Sequence, residues 1–162
     1  EMPVEEGAEQ VDKMSDKSNP QDELPSNQQL CEQAVTRFVD AIKSADLPAL
    51  LELSDFPFLH DGKIDSSAED LKSRLSRLIN DDDPLEDLTC SIHQVTSFES
   101  TPKEEISGRI GEFLKQQMKP GDHIISIDLT LPGKKGIDRN VLYVKVRDQQ
   151  AKVIGMMDIP VK

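Results

Sequence analysis

Apolar residues recur along this chain with two periods, three to four in some stretches and two in others, and the alternation between them sets out the elements. Cys31, Ala34, Val35, Phe38, Ala41, Ile42 and Ala45 fall at the spacing that gathers side chains on one face of an α-helix. Ser26 and Gln29 ahead of them have capping-box spacing, each side chain answering the other's free backbone N–H. A first helix is therefore predicted from Ser26, with Arg37, Asp40 and Lys43 outside its stripe. Asp46 introduces a second, short helix over Leu47–Leu53, whose Pro48 is tolerated in a first turn because its missing N–H has no helical partner there. A third helix is predicted to open at the Ser66 and Glu69 pair and to bury Ala68, Leu71, Leu75, Leu78 and Ile79, with Asp81-Asp82-Asp83-Pro84 ending it. A fourth is predicted from Thr101-Pro102-Lys103-Glu104, with Ile106, Ile110, Phe113 and Leu114 on its apolar side and Lys119-Pro120-Gly121 as its stop.

Period two appears first over residues 88–98. Leu88, Cys90 and Ile92 share one face and Thr89, Ser91 and His93 the other, the pattern of a half-buried strand. Three more strands are predicted at about 122–131, 139–147 and 151–158. The short link Asp148-Gln149-Gln150 makes the last two an antiparallel hairpin. Alternation assigns Ile125, Ile127 and Leu129 to the inward face, then Leu142, Val144 and Val146, then Val153, Gly155 and Met157. The expected class is α+β: helices packed on a curved antiparallel sheet.

Composition changes this picture at one end. Residues 1–27 hold eight acids and two bases, so half of the net charge of −12 lies in a sixth of the chain, and they carry no aromatic residue. Such a segment cannot bury enough apolar surface to offset its ordering entropy. We expect a disordered acidic tail over 1–27, a spacer or an arm for a basic partner, and one domain over 28–162. An acidic chain repels phosphate backbones, and without Trp and with a single Tyr it offers no stacking platform, so no nucleic-acid partner is expected. No apolar run reaches the roughly 18 residues of a transmembrane segment. The chain opens on Glu1. With a Ser/Asn/Gln/Pro-rich lead-in, the expectation is export to the periplasm or outside the cell, a cleaved signal having been lost; a cytoplasmic protein is the alternative.

The order helix, helix, short extended stretch, helix, strand, helix and closing meander resembles the nuclear transport factor 2-like superfamily, which includes ketosteroid isomerases and polyketide cyclases. The residues carrying the resemblance are the first helix through Asp46-Leu47, Phe56-Pro57-Phe58 with Asp61-Gly62, and Ala151-Lys152-Val153-Ile154-Gly155. It spans residues 28–158; the helix at 102–117 departs from the commonest arrangement. The resemblance implies a cone with a cavity between helices and sheet, here lined by Phe56, Phe58, Ile125, Ile127, Leu142 and Val144, and frequent dimerisation through the outer sheet face. On that face alternation places Ile124, Tyr143, Ile154 and Met156.

Sites of chemistry are sparse. There is no phosphate-binding Gly-rich loop, no Cys-x-x-Cys, no His-Glu-x-x-His and no Gly-x-Ser-x-Gly, so neither cofactor nor metal is expected. The Asp81–Asp83 run lacks the spaced ligands and turn glycine of a calcium loop. None of the inward strand positions is acidic, whereas an isomerase needs an acid or base inside its cavity; Asp122 and Asp128 have the opposite parity. His123, at the mouth of its strand, and His60 with Asp61 are the remaining acid–base candidates. His93 reads as exposed. Cys31 and Cys90 both read as buried; if the first helix packs on the first long strand they pair as a disulfide, and otherwise they are two inert thiols.

The expectation is thus a non-catalytic binding or interaction domain with a small apolar ligand. The alternatives are an isomerase- or cyclase-type enzyme using a His/Asp pair, and a structural homodimer whose tail recruits a partner. Brief proteolysis is expected to remove residues up to about Ser26 and leave a stable core; mass spectrometry of the fragments checks it, and a protected N-terminus would refute the spacer reading.

Overall fold

The computed structural model describes residues 25–79, 85–133 and 135–159. Apart from Pro25–Asn27, the expected acidic tail lies outside them, as does the Asp81–Asp83 run. In order, the elements are helices α1 (Asn27–Lys43) and α2 (Leu47–Glu52), strands β1 (Ser54–His60) and β2 (Lys63–Asp65), and helix α3 (Ala68–Ile79). Strand β3 (Thr89–Ser97), helix α4 (Gly108–Gln117), and strands β4 (His123–Thr130), β5 (Asp138–Arg147) and β6 (Gln150–Ile159) follow.

Local signals fix most boundaries. The capping box at α1 forms as its spacing required: Ser26 Oγ accepts from Gln29 N at 3.2 Å and Gln29 Oε1 from Ser26 N at 2.9 Å. Asp46 caps α2 through Ala49 N. At α3 the cap is Ser67, whose Oγ accepts from Asp70 N, rather than Ser66. The predicted fourth helix is divided. Lys103–Ile106 forms a single 3-10 turn and α4 starts afresh at Gly108, whose φ of +72° lies in a region that a Cβ disfavours.

The sheet has six strands in the order β2-β1-β6-β5-β4-β3. Its pairings are antiparallel as expected except one, since β1 runs parallel to β6, and the sheet is mixed. The aromatic-proline stretch supplies β1. Its register against β6 shifts between Ser54 and Leu59, where Pro57 has no N–H to give to the ladder.

Both faces of the central strands are buried, whereas edge strand β3 is exposed over most of its length. Against the inner face, α1, α2 and α3 cover a core containing Phe38, Phe58, Leu71, Ile125, Leu142 and Val144. On the outer face, α4 and the 3-10 turn set Ile106, Phe113, Leu114 and Met118 on Leu59, Val141, Tyr143 and Ile154, with Ile124 and Met157 beside them. Each large side chain removed from water there contributes roughly 1.5–3 kcal/mol. Gly111 makes the seat possible: a Cβ at that position would collide with the Ile106 carbonyl.

A β-bulge in β6 changes the expected alternation. Val144 pairs with Val153 but Tyr143 pairs with Gly155, so Ile154 is one residue too many. Val153 faces inward as predicted. Ile154 lies in the outer cluster, and at Gly155 a Cβ would meet the Tyr143 ring and Leu59. Beyond the bulge the parity is reversed, with Met156 inward and Met157 outward. The expected dimer patch is therefore not one patch: Met156 belongs to the inner core, and Ile124, Tyr143 and Ile154 pack in the cluster that α4 completes.

A buried carboxylate fastens α4 to the sheet. Asp122, 1% exposed, accepts from Lys119 N at 2.9 Å, Val146 N at 2.9 Å and Arg147 Nη1 at 2.7 Å. Arg147 also donates to the Gln117 carbonyl at the end of α4. At the other edge Arg74 on α3 grips Asp65 of β2 through two bonds of 2.6 and 2.9 Å.

Ile154→Lys would set a charge without a partner beneath α4. The expected cost is on the order of 4 kcal/mol or more, read as a lower urea midpoint; an unchanged midpoint with an altered sedimenting mass would show instead that this residue faces a second copy.

Candidate functional site

The inner face does not close completely. Where the C-terminal half of α1 lifts from the free ends of β4, β5 and β6, a cavity of about 280 Å³ remains. Its walls are apolar: Phe38, Val39 and Ile42 from α1, Leu85 and Leu88 from the segment leading into β3, and Ile127, Leu129, Leu131, Leu142 and Met156 from the sheet side. Three polar side chains, Asp138, Asn140 and Asp158, complete the lining. Asn140 is buried, 8% exposed, whereas the two aspartates are exposed at the rim. Among the described residues the Asn140 amide has no hydrogen-bond partner, and neither carboxylate joins an ion pair. A buried amide left unpaired costs free energy that a packed core avoids, so Asn140 is the group to explain.

Strand register brings these three together. Asn140 is directly opposite Asp158. Asp138 is two residues before Asn140 on β5 and so on the same face. Asp61 helps place Asp158: its Oδ1 accepts from Asp158 N at 3.1 Å, and its own N–H donates to the Met156 carbonyl at 3.2 Å.

Of the residues expected to line the cavity, Ile127 and Leu142 do. Phe58, Ile125 and Val144 are fully buried in the packed core, and Phe56 is half-buried against it. The acid–base candidates do not converge on the cavity. His123 is buried with its Nδ1 3.7 Å from the Cys31 Sγ. His60 Nδ1 is 3.9 Å from Asp61 Oδ2, a loose pair at the β1–β2 turn beside the Arg74–Asp65 grip. His93 is exposed, as expected, and lies 3.8 Å from Asp128, which Arg139 holds on the outer side.

The two thiols are free. Cys31, near the start of α1, is buried; burial, reinforced by the Asp122 carboxylate, pushes its pKa up to about 12, which leaves it a protonated, poor nucleophile. Cys90 is exposed on edge strand β3, near Asp40 and Lys43. Cys31 packs on His123, whose partner across the sheet is Ser97, seven residues along β3 from Cys90 and so roughly 23 Å away, beyond the Cα separation of about 7 Å that a disulfide tolerates. The strand containing Cys90 is an edge, so its expected buried face is only partly covered.

A larger groove of about 630 Å³ runs between α1, α2 and the β5–β6 hairpin. It is lined mostly by exposed polar side chains such as Gln33, Arg37, Glu52 and Gln149 and contains no buried polar group. The smaller cavity has the character of a ligand site: apolar walls and a few convergent polar groups.

Alternation had pointed away from acids at this face. Asp138 and Asn140 share the parity of Leu142 and Val144; Asn140 lies inside the expected strand 139–147 and Asp138 one residue before it, so carrying that count back from Leu142 would have found them. Asp158 was hidden by the bulge at Ile154.

No protein-family model and no curated protein matches the sequence. Solved structures do match. A candidate calcium/calmodulin-dependent protein kinase type II association domain from Thiobacillus denitrificans superposes with a TM-score of 0.58 at 8% identity, over 81% of this chain and 94% of that one. A candidate ketosteroid isomerase from Shewanella frigidimarina gives 0.54 at 13%, over 80% and 94%. A cystatin-like fold protein from Burkholderia xenovorans gives 0.51 at 11%, over 84% and 94%. The chain has the nuclear transport factor 2-like fold, helices on a cone-shaped sheet, as its element order suggested. At these identities the likeness is one of fold alone.

His60 gives a pH signature. Burial, with the Arg74 guanidinium adding to it and Asp61 opposing it, lowers its pKa below the ordinary histidine value of 6.5. The unfolded chain then binds a proton that the folded chain refuses. Stability present above pH 6.5 is therefore lost as the pH falls towards the folded value. Urea midpoints are expected to drop between pH 7 and about 5.5, and His60→Gln to flatten that drop relative to wild type; equal slopes would show that His60 is not buried neutral.

Proposed function

We propose that this chain is a binding domain whose cone cavity takes a small, mostly apolar molecule with one polar group directed at Asn140. The observation that carries the reading is the buried Asn140 amide, which has no hydrogen-bond partner among the described residues, at the end of a cavity with apolar walls. An amide both donates and accepts hydrogen bonds but does not exchange protons near neutral pH, so it orients a ligand rather than acting as an acid or base. The histidines lie elsewhere, His123 against Cys31 and His60 at the sheet edge, which favours binding over isomerase-type turnover. The fold accommodates either. The cavity, about 280 Å³, lies just under the range of roughly 300–1,000 Å³ usual for small-molecule sites and suits a single-ring or short-chain compound.

Methionine methyl NMR tests the idea on the full chain, because Met156 lines the cavity while Met157 and Met118 pack on the opposite face. Benzyl alcohol, a ring with one hydroxyl, is expected to shift the Met156 methyl and leave the other two in place. Asn140→Leu should weaken that binding several-fold. The same substitution should raise stability by about 1 kcal/mol, because it replaces a buried amide that no described residue satisfies with an apolar group of similar volume. No Met156 response to the probe, or a destabilised Asn140→Leu protein, would overturn the reading by making Asn140 a structural residue.

A further inference from the structure

We infer that the polar end of this cavity recognises a primary ammonium group on an otherwise apolar molecule. The inference rests on the cavity being a ligand site, as proposed above, and specifies the chemistry of its occupant.

Three acceptors converge at one end of the cavity, the carboxylates of Asp138 and Asp158 and the carbonyl oxygen of the Asn140 amide. Register sets their arrangement. Asn140 and Asp158 are cross-strand partners, whose Cβ atoms lie roughly 4.5–5.5 Å apart. Asp138 is the next residue on the same face of β5, roughly 7 Å along the strand. An ammonium has three N–H donors and no acceptor, so one such group set among these side chains finds a partner for each donor. Depth agrees with this assignment. The aspartates stay at the rim, where solvent reduces the cost of a charge, and Asn140 is 8% exposed below them. A ligand lying with its hydrocarbon body among Phe38, Ile42, Ile127 and Met156 therefore brings its cation to the mouth without burying it.

The charge pattern argues against other occupants. Two carboxylates repel an anionic ligand. The nearest arginine in sequence, Arg139, points to the other face, where it holds Asp128 through two bonds of 2.7 and 3.1 Å, and does not neutralise the rim. A divalent cation would find three protein oxygens where six to eight ligands are usual for calcium, and it would leave the apolar walls unused.

Three probes of one size decide the matter: benzylamine, benzyl alcohol and benzoate, titrated at constant ionic strength against the Met156 methyl signal. Benzylamine is expected to bind about tenfold more tightly than benzyl alcohol, the size of an ion pair at a partly exposed site, and benzoate to leave the signal unmoved. In the double variant Asp138→Asn, Asp158→Asn, benzylamine should fall to the affinity that benzyl alcohol shows in the same variant. Because both positions are exposed, the variant is expected to keep the wild-type urea midpoint. Equal affinities for the amine and the alcohol in wild type, or an amine preference that survives in the double variant, would overturn the ammonium assignment and leave the cavity as a site for neutral ligands. Failure of all three probes to move Met156 would remove the cavity reading with it. A shift on adding calcium chloride alone that is lost in the double variant would make the rim a metal site and also overturn the assignment.

Discussion

A sheet that is apolar on both faces must be covered on both, and that requirement organises this molecule. β4, β5 and β6 put Ile125, Leu142 and Val153 on one side and Tyr143, Ile154 and Met157 on the other. The inner face takes three helices. The outer face takes α4 and the turn before it, inserted between β3 and β4. The cover holds because Asp122 and Arg147 bind the end of α4 to the backbone of β5. The carboxylate is nearly inaccessible to water, and its three donors compensate for that desolvation. An isolated helix of ten residues is not stable by itself; tied down at its C-terminus and packed through Phe113 and Leu114, α4 covers part of the outer face.

The cavity is the place where the inner cover stops short. α1 packs into the core along its first half, through Cys31, Ala34 and Val35. Towards its end it is separated from the strand ends by a space that Leu85 and Leu88 only partly fill. Completing that core with another apolar side chain at position 140 would have been the more stable solution. In the binding role proposed for the cavity, the amide gives up that stability in exchange for a polar contact with the ligand. Asp61 takes part by tying the β1–β2 turn to β6, which holds Asp158 at the rim.

The fold sets no chemistry of its own. Structures superposing on this chain carry descriptions as different as an isomerase and a kinase association domain, so what one cone does depends on which side chains point into it. In this chain those are hydrocarbon walls, one amide and two rim carboxylates. The histidines and the buried thiol, the residue types most often associated with catalysis, are engaged elsewhere.

Much of this was legible in the sequence, because it depends on contacts between near neighbours. Helix starts at Ser26 and Asp46, the stripe from Cys31 to Ile42, the closing hairpin at Asp148–Gln150 and the α+β class all follow from periodicity, caps and turn residues acting over a few positions, while the cone was implied by the resemblance in element order. The parallel pairing of β1 with β6, the seating of α4 on the outer face and the separation of Cys31 from Cys90 depend on which elements meet across the chain, and no local spacing records that. The cavity turns on a single residue. Alternation from Val153 puts Met157 inward and Met156 outward, and one additional residue at Ile154 reverses both. A strand's side chains change face at every step, so a bulge of one residue exchanges the two faces for everything beyond it. Only the pairing of β6 with β5 showed where that step falls, and it is this step that turns Asp158 toward Asn140.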